Sequence, residues 1–447
     1  MDYNTFKEAV MAAAKAAGLE EYELYYEGGE DTSVGVFQHE INQFSSAVFG
    51  GVCFRCVVKG KMGYASTEDM DPDKAAALVE RAMNNAAVLE AEEAVFLCEG
   101  GKTYEKLNIT PYALPTTEEM VSTALSAQEK LYAADPKVVD GCESEVLRQT
   151  FRVAICNSKG LDLSYENALS GLVSAAVVSD GKEMTNDYQI ELGKLDTIDV
   201  DAVVKKAAEK AVGKLGGDVA PTAVCPVVFA PEAMKNLLAA FSSIFSSEAA
   251  QKGLSRLGDK EGQIIASSAV TLVDDPFHPQ SPVPIHFDGE GCPTHTKKVI
   301  ENGKLNTLLY NLKTAAVAGK ETTGNGSKSG YASAVGIRPF TFYLEPGSLT
   351  EEELLKKAGK GVYINSLGGL HAGANAVSGD FSLQSAGFLI EDGKKTTPVK
   401  SFTVAGNFYD LLKKITDVAS ELEVKATGMT AFASPAVLVD ELSIAGK

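Results

Sequence analysis

The chain has 447 residues, 45% of them hydrophobic and 23% charged, an ordinary globular balance with enough apolar material for two or three domains. Its formal net charge is −19 and it holds no run of Lys or Arg, which argues against a surface built to neutralise nucleic-acid phosphates. No apolar run approaches the ~18 residues of a membrane span. The opening Met-Asp-Tyr-Asn-Thr-Phe-Lys-Glu lacks a basic segment followed by an apolar block, so a soluble cytoplasmic protein is expected.

Residues 2–17 predict an Ala-rich helix with Phe6, Val10, Ala13, Ala14 and Ala17 on one side and Gly18 as its stop. Strands are expected at 22–27, 34–37 and 52–58, the last turning at Lys59-Gly60-Lys61. Cys53 and Cys56 lie in that strand and fall on opposite faces, so they cannot chelate one ion and read as buried structural thiols. The seven cysteines are an odd, scattered set, consistent with reduced intracellular thiols.

Asp71-Pro72 caps a helix whose stripe is Ala75, Leu78, Val79, Ala82 and Ala86. Residues 95–115 read as loop. Thr116-x-x-Glu119 is a capping box for a helix to about 133. Residues 145–192 predict an antiparallel meander with turns at Asn157-Ser158-Lys159-Gly160 and Asp180-Gly181, closed by a helix over 200–215. The small residues and Pro221 at 216–222 mark a boundary, giving an α/β N-terminal domain at 1–218 and a β-rich C-terminal domain at 223–447.

The second part opens with a strand at 224–229 and a helix from Pro231, with Met234, Leu237, Leu238, Phe241 and Phe245 on its apolar face. Strands at 294–300 and 305–310 flank the hairpin signal Asn302-Gly303. Residues 324–330, rich in Gly, read as a mobile loop without phosphate-binding spacing. Thr350-x-x-Glu353 is a second capping box, its helix stopped at Gly359. Turns of the form x-Asp/Asn-Gly-Lys recur from 179, 301 and 391, read as one turn chemistry used three times. The last strand is expected at 436–444.

The densest stretch is 368–420. A Gly/Ala/Ser-rich loop at 368–379 precedes a hairpin, with strands at 381–391 and 399–404 around Asp392-Gly393. Ala405-Gly406-Asn407 then breaks the strand. Asn407 caps a helix carrying Leu411, Leu412, Ile415 and Val418. Small side chains in the loop would let an extended peptide add to a strand edge. Candidate peptide-cleft residues are His371, Asn375, Gly379 and Asp380; for Asp380, holding the loop by accepting backbone N–H bonds is favoured over facing a substrate.

The ordered pieces Ser378-Gly379-Asp380-Phe381-Ser382, Ala386-Gly387-Phe388, Glu391-Asp392-Gly393-Lys394, Pro398-Val399 and Ala405-Gly406-Asn407 resemble the TldD/PmbA family of peptide maturation, in its PmbA (TldE) branch. The resemblance extends to Asn157-Ser158-x-Gly160, Phe287-Asp288-x-Glu290-Gly291, Thr296-Lys297-Lys298, Asn302-Gly303-x-Leu305, Thr322-Thr323-Gly324-Asn325 and Ser443-Ile444-Ala445-Gly446. It implies an α+β, two-domain architecture: an α/β first domain with the meander and a barrel-like second domain.

In the catalytic TldD branch, the resemblance implies His-Glu-x-x-x-His on the first helix of the second domain and a Cys near the C-terminus, together holding zinc. The matching helix here begins Pro231-Glu232-Ala233-Met234-Lys235-Asn236 and contains no His. No Cys follows Cys292, and the segment expected to hold that ligand reads Thr427-Gly428-Met429-Thr430-Ala431-Phe432. No metal, cofactor or catalytic residue is therefore expected in this chain. A rebuilt site from His278, His286 and His295 with Asp288 and Glu290 is the weaker alternative, and His39-Glu40 lacks a second His. Zinc is expected in a TldD-type partner, forming a heterodimer; self-association as a homodimer is the other possibility. Two further readings stay open: a non-catalytic peptide-binding scaffold, and an autonomous peptidase with an unrecognised site.

Overall fold

The computed structural model describes residues 3–89, 96–107, 113–281, 283–424 and 430–447. The first half runs α1 (Tyr3–Ala16), β1 (Tyr22–Phe37), β2 (Glu40–Val58), β3 (Lys61–Thr67), α2 (Ala75–Ala87), α3 (Thr117–Ala133), β4 (Glu143–Asn157), β5 (Asp162–Ser179), β6 (Met184–Gly193) and α4 (Val200–Val212). Its strands form one antiparallel sheet in the order β3-β2-β1-β4-β5-β6. Alternation along β1 assigns the two faces. Leu24, Val34 and Val36 point to the helices, where Phe6, Val10 and Leu78 (α1, α2) and Met120, Leu131 and Val203 (α3, α4) bury. Tyr25 points the other way, with Val153 and Ile155, onto Phe287 and Cys292 of the second half.

The second half runs β7 (Asp218–Val219), β8 (Ala223–Phe229), α5 (Pro231–Phe241), α6 (Ser247–Gln251), β9 (Leu272–Asp274), β10 (Lys297–Glu301), β11 (Lys304–Leu305), α7 (Leu312–Ala318), β12 (Gly326–Ser327), β13 (Gly336–Ile337), β14 (Thr341–Leu344), α8 (Glu351–Ala358), β15 (Gly361–Gly368), α9 (Leu370–Gly373), β16 (Asp380–Glu391), β17 (Lys394–Asn407), α10 (Phe408–Lys414), β18 (Ile415–Val418), β19 (Ala431–Ala433) and β20 (Val437–Ala445). Strands β20, β8, β15, β16 and β17 pair in sequence, and β17 pairs back to β20, closing a five-stranded barrel. The fold is thus α+β with a barrel, as the resemblance implied. Closure removes the free edges that a sheet would otherwise present. Val227 and Phe229 of β8 bury with α5, while Val228 buries against Leu354 and Leu355 of α8.

Helix ends follow their sequence signals. Thr116 and Thr350 each form a complete capping box with Glu119 and Glu353, and Gly359 ends α8 at φ +64°. The turns Lys59-Gly60, Asn302-Gly303 and Asp392-Gly393 all have both residues at positive φ, as type I′ requires. The third turn of the supposed trio differs, since of Asp180-Gly181 only the glycine is left-handed.

Several expectations are corrected. Residues 22–37 form one strand, because Gly28 and Gly29 continue it rather than break it; a Cβ on Gly29 would stand 1.9 Å from Thr150 O of β4. The strand expected at 52–58 begins at Glu40, joined to β1 through the turn Gln38-His39. The helix expected over 200–215 stops at Val212, and the strand expected at 305–310 stops at Leu305. Ile415 and Val418 belong to β18, where pairing with β20 overrides helical spacing. The return strand of the long hairpin starts at Lys394, passes through Pro398 and includes Ala405-Gly406-Asn407. The segment 324–330 is pinned: β12 pairs with β13, and Gly326 N–H donates to Asp288 Oδ2 at 2.7 Å.

Candidate functional site

The Gly-rich segment is less a loop than a clasp. It holds the helical turn α9, entered through Gly369 at φ +73°. Beyond it, Asn375 Oδ1 accepts the N–H groups of Val377 (3.0 Å) and Ser378 (3.1 Å), an Asx-type turn. Gly379 N–H donates to Asn375 O at 2.8 Å, and Asn375 N–H donates to Asp380 O at 2.9 Å. Gly379 sits at φ +81°, where L side chains are strained.

Asn407 locks the clasp. Its Nδ2 donates to Ser378 O at 2.9 Å and to Asp380 Oδ1 at 2.8 Å, while its Oδ1 accepts from Tyr409 N–H at 3.1 Å and caps α10. Hydrogen bonds from Asn407 and Ser378 hold the Asp380 carboxyl below its ordinary range, so it is charged at neutral pH. The expected backbone N–H donors to Asp380 are replaced by these side chains. An open depression of about 570 Å³ lies over the clasp, and Asn375 and Asp380 line it. Gly379 is buried beneath, and His371, exposed on α9, stands outside the lining.

Helix α5 occupies the position implied for a zinc helix. It buries Ala233, Met234, Leu237, Leu238 and Phe241, each large apolar one worth roughly 1.5–3 kcal/mol. Phe241 stacks on Phe408 at 4.6 Å between centroids. Its polar face carries Glu232 and Lys235, paired at 2.8 Å. Two of the three histidines of the alternative site are engaged elsewhere. His286 is edge-on to Tyr104, Tyr165 and Phe287; His278 packs on Tyr343 and accepts Gln280 N–H through Nδ1; burial lowers the pKa of all three. Among the described residues no three His, Cys, Asp or Glu side chains gather as a metal cluster. Thr427, Gly428 and Met429 lie outside the described residues. His39 lies in the β1–β2 turn at φ +66°, stacked on Tyr132.

A buried polar junction joins the halves. Arg55 Nε donates to Glu23 Oε1 at 2.7 Å, and Asn157 Nδ2 donates to Cys98 O at 2.8 Å. Cys292 Sγ lies 3.0 Å from Cys98 Sγ. Asp288 Oδ1 accepts the N–H groups of Glu290 and Cys292, both at 2.9 Å. Glu290 Oε2 accepts Leu312 N–H at 2.7 Å. Burial, then the neighbouring Asp288 charge, pushes the Glu290 carboxyl well up; burial also raises Asp288, against three backbone donors that pull it down. Sequence reading took Asp288 and Glu290 as motif letters and as members of the weaker alternative metal site, not as a buried junction between the halves. Their burial depends on contacts between distant segments.

An α/β sheet of long antiparallel strands, a closed small barrel and a glycine-positioned clasp define a class whose relatives are metallopeptidases. Family models for the PmbA/TldA metallopeptidase match domain 1 at residues 22–86, the central domain at 111–215 and the C-terminal domain at 222–446. The chain belongs to the PmbA/TldD family. Metalloprotease PmbA of Escherichia coli O157:H7 is 25% identical over 87% of this chain and 84% of its own length. The PmbA homologue of Haemophilus influenzae is 24% identical over 98% and 94%. Among solved structures, a Thermotoga maritima modulator of a DNA gyrase matches with a TM-score of 0.89 and 32% identity, covering 99% of this chain and 100% of that one. TldE of Thermococcus kodakarensis matches with a TM-score of 0.89 and 25% identity over the same shares.

Proposed function

We propose that this chain is the metal-site-lacking, PmbA/TldE-like subunit of a TldD/TldE-type zinc metallopeptidase complex that processes peptides. The observation carrying this reading is α5, which contains no His and turns Met234, Leu237 and Phe241 into the apolar core. Amide hydrolysis at neutral pH needs an activated nucleophile, and among the described residues there is neither a zinc-binding set nor a Ser or Cys nucleophile hydrogen-bonded to a His base. The clasp and its depression supply a surface that a peptide backbone can approach closely, with Asn375 and Asp380 as its cleft residues, Gly379 buried beneath them and His371 outside the lining. The partner is a TldD-type subunit that brings the zinc, in a cytoplasmic heterodimer.

The test is co-purification with a TldD-type subunit, followed by digestion of an unfolded peptide. Activity of the pair that a chelator abolishes, with none from this chain alone, is expected. Cleavage by the lone chain, undiminished by chelator, would overturn the reading. The open depression also suits a peptide-binding scaffold, which gains if the partner is equally active without this chain.

A further inference from the structure

A cavity of about 180 Å³ lies between the open face of the first sheet and the pinned 324–340 region. It is larger than the ~30 Å³ share of one water and smaller than the roughly 300–1,000 Å³ of drug-sized sites. Aromatic rings of Tyr25, Tyr165 and Phe340 form much of its wall.

Four charged side chains line it: Lys328 and Arg338 against Glu27 and Asp288. Two of these are satisfied locally. Asp288 accepts three backbone N–H groups. Lys328 Nζ donates to Ser333 O at 3.0 Å and lies 4.8 Å from the Tyr25 ring centre. The other two are not. Among the described residues neither the Glu27 carboxylate nor the Arg338 guanidinium makes a hydrogen bond, and they do not approach within the 4.0 Å of an ion pair. Burial raises the Glu27 carboxyl, with Arg338 and then Lys328 pulling it back, so a cation at Glu27 would relieve a real cost.

We infer that this cavity binds a small zwitterion, a free amino acid or dipeptide with an apolar or aromatic side chain, its carboxylate on Arg338 and its ammonium on Glu27. Two cations facing two anions leave the lining neutral, which favours a ligand of zero net charge over a simple anion. The rings take the ligand's apolar body, and a planar guanidinium suits a carboxylate. Binding is a property of this chain alone and does not rest on the peptidase reading.

The experiment is calorimetric titration of the full chain with L-phenylalanine and glycyl-phenylalanine, alongside 3-phenylpropionate, which lacks the ammonium, and phenethylamine, which lacks the carboxylate. At least one zwitterion should bind with a Kd of about 1 mM or tighter, and about tenfold or more tightly than either truncated probe. Arg338→Ala should weaken the zwitterion about tenfold or more. Glu27→Gln should weaken the zwitterion and leave 3-phenylpropionate unchanged. Melting curves confirm that both variants are folded; should Arg338→Ala fail to fold, Arg338→Lys serves in its place. No binding by either zwitterion, equal binding of all probes, or zwitterion binding unaffected by either substitution would overturn the assignment.

Discussion

Gly379 lies against the ring of Tyr409: a Cβ at Gly379 would fall 2.5 Å from Tyr409 Cδ2 and 3.0 Å from Asn407 Oδ1. The position therefore combines a left-handed backbone with no room for a side chain. Gly379→Val should cost ~1–3 kcal/mol or more, whereas Lys394→Ala, exposed beside the hairpin turn, should stay within about 0.5. Equal melting temperatures for the two variants would contradict the packing seen here.

Asn407→Ala removes two donated hydrogen bonds and the cap of α10 at once. A loss of about 1–2 kcal/mol in urea unfolding is expected. Asp380→Ala, at an exposed carboxylate, should change stability far less and lower the peptidase activity of the reconstituted pair. Lost stability with unchanged activity for Asp380→Ala would make that carboxylate structural.

The pH dependence of stability should carry the mark of Glu290. Its carboxyl is raised in the fold above the ordinary 4.5, chiefly by burial. The stabilising protonated form is thus fully present below that value in both states. As pH rises, the unfolded chain ionises first and stability falls through neutrality. Glu290→Gln, which keeps the shape without the charge, should gain melting temperature relative to the parent at pH 8 more than at pH 5. A constant difference across that range would remove Glu290 from the account.

Metal analysis of the purified chain should find zinc well below one equivalent, and chelator treatment should leave its melting temperature unchanged. Stoichiometric zinc traced to His278, His286 or His295 by substitution would revive the alternative site.

The caps and type I′ turns were legible because each is set by two to four adjacent residues. The barrel was legible only through family resemblance, since its closing pair β17–β20 joins strands that no local pattern links. The clasp shows the boundary well. Counting back evenly from the turn, Glu391↔Lys394 would set Asp380 opposite Ala405. Two register shifts within the hairpin place it opposite Asn407 instead. Sequence reading therefore found Asp380 and found Asn407 as a cap, but missed that they hold each other. Bulges are fixed by the sheet as a whole, so alternation alone cannot count them. The cavity was invisible for the same reason: Glu27 and Arg338 line it from a sheet face and from the distant segment that covers that face.

The central place of β8 bears on how the chain is made. Its two neighbours are β15, beginning at Gly361, and β20, beginning at Val437. At ~5–20 residues per second, roughly 200 further residues take ~10–40 s to leave the ribosome. Throughout that interval Val227, Val228 and Phe229 sit on an apolar strand lacking at least one edge partner. The nascent second half should thus engage holding chaperones for most of its synthesis, and its barrel can close only after translation has passed β20.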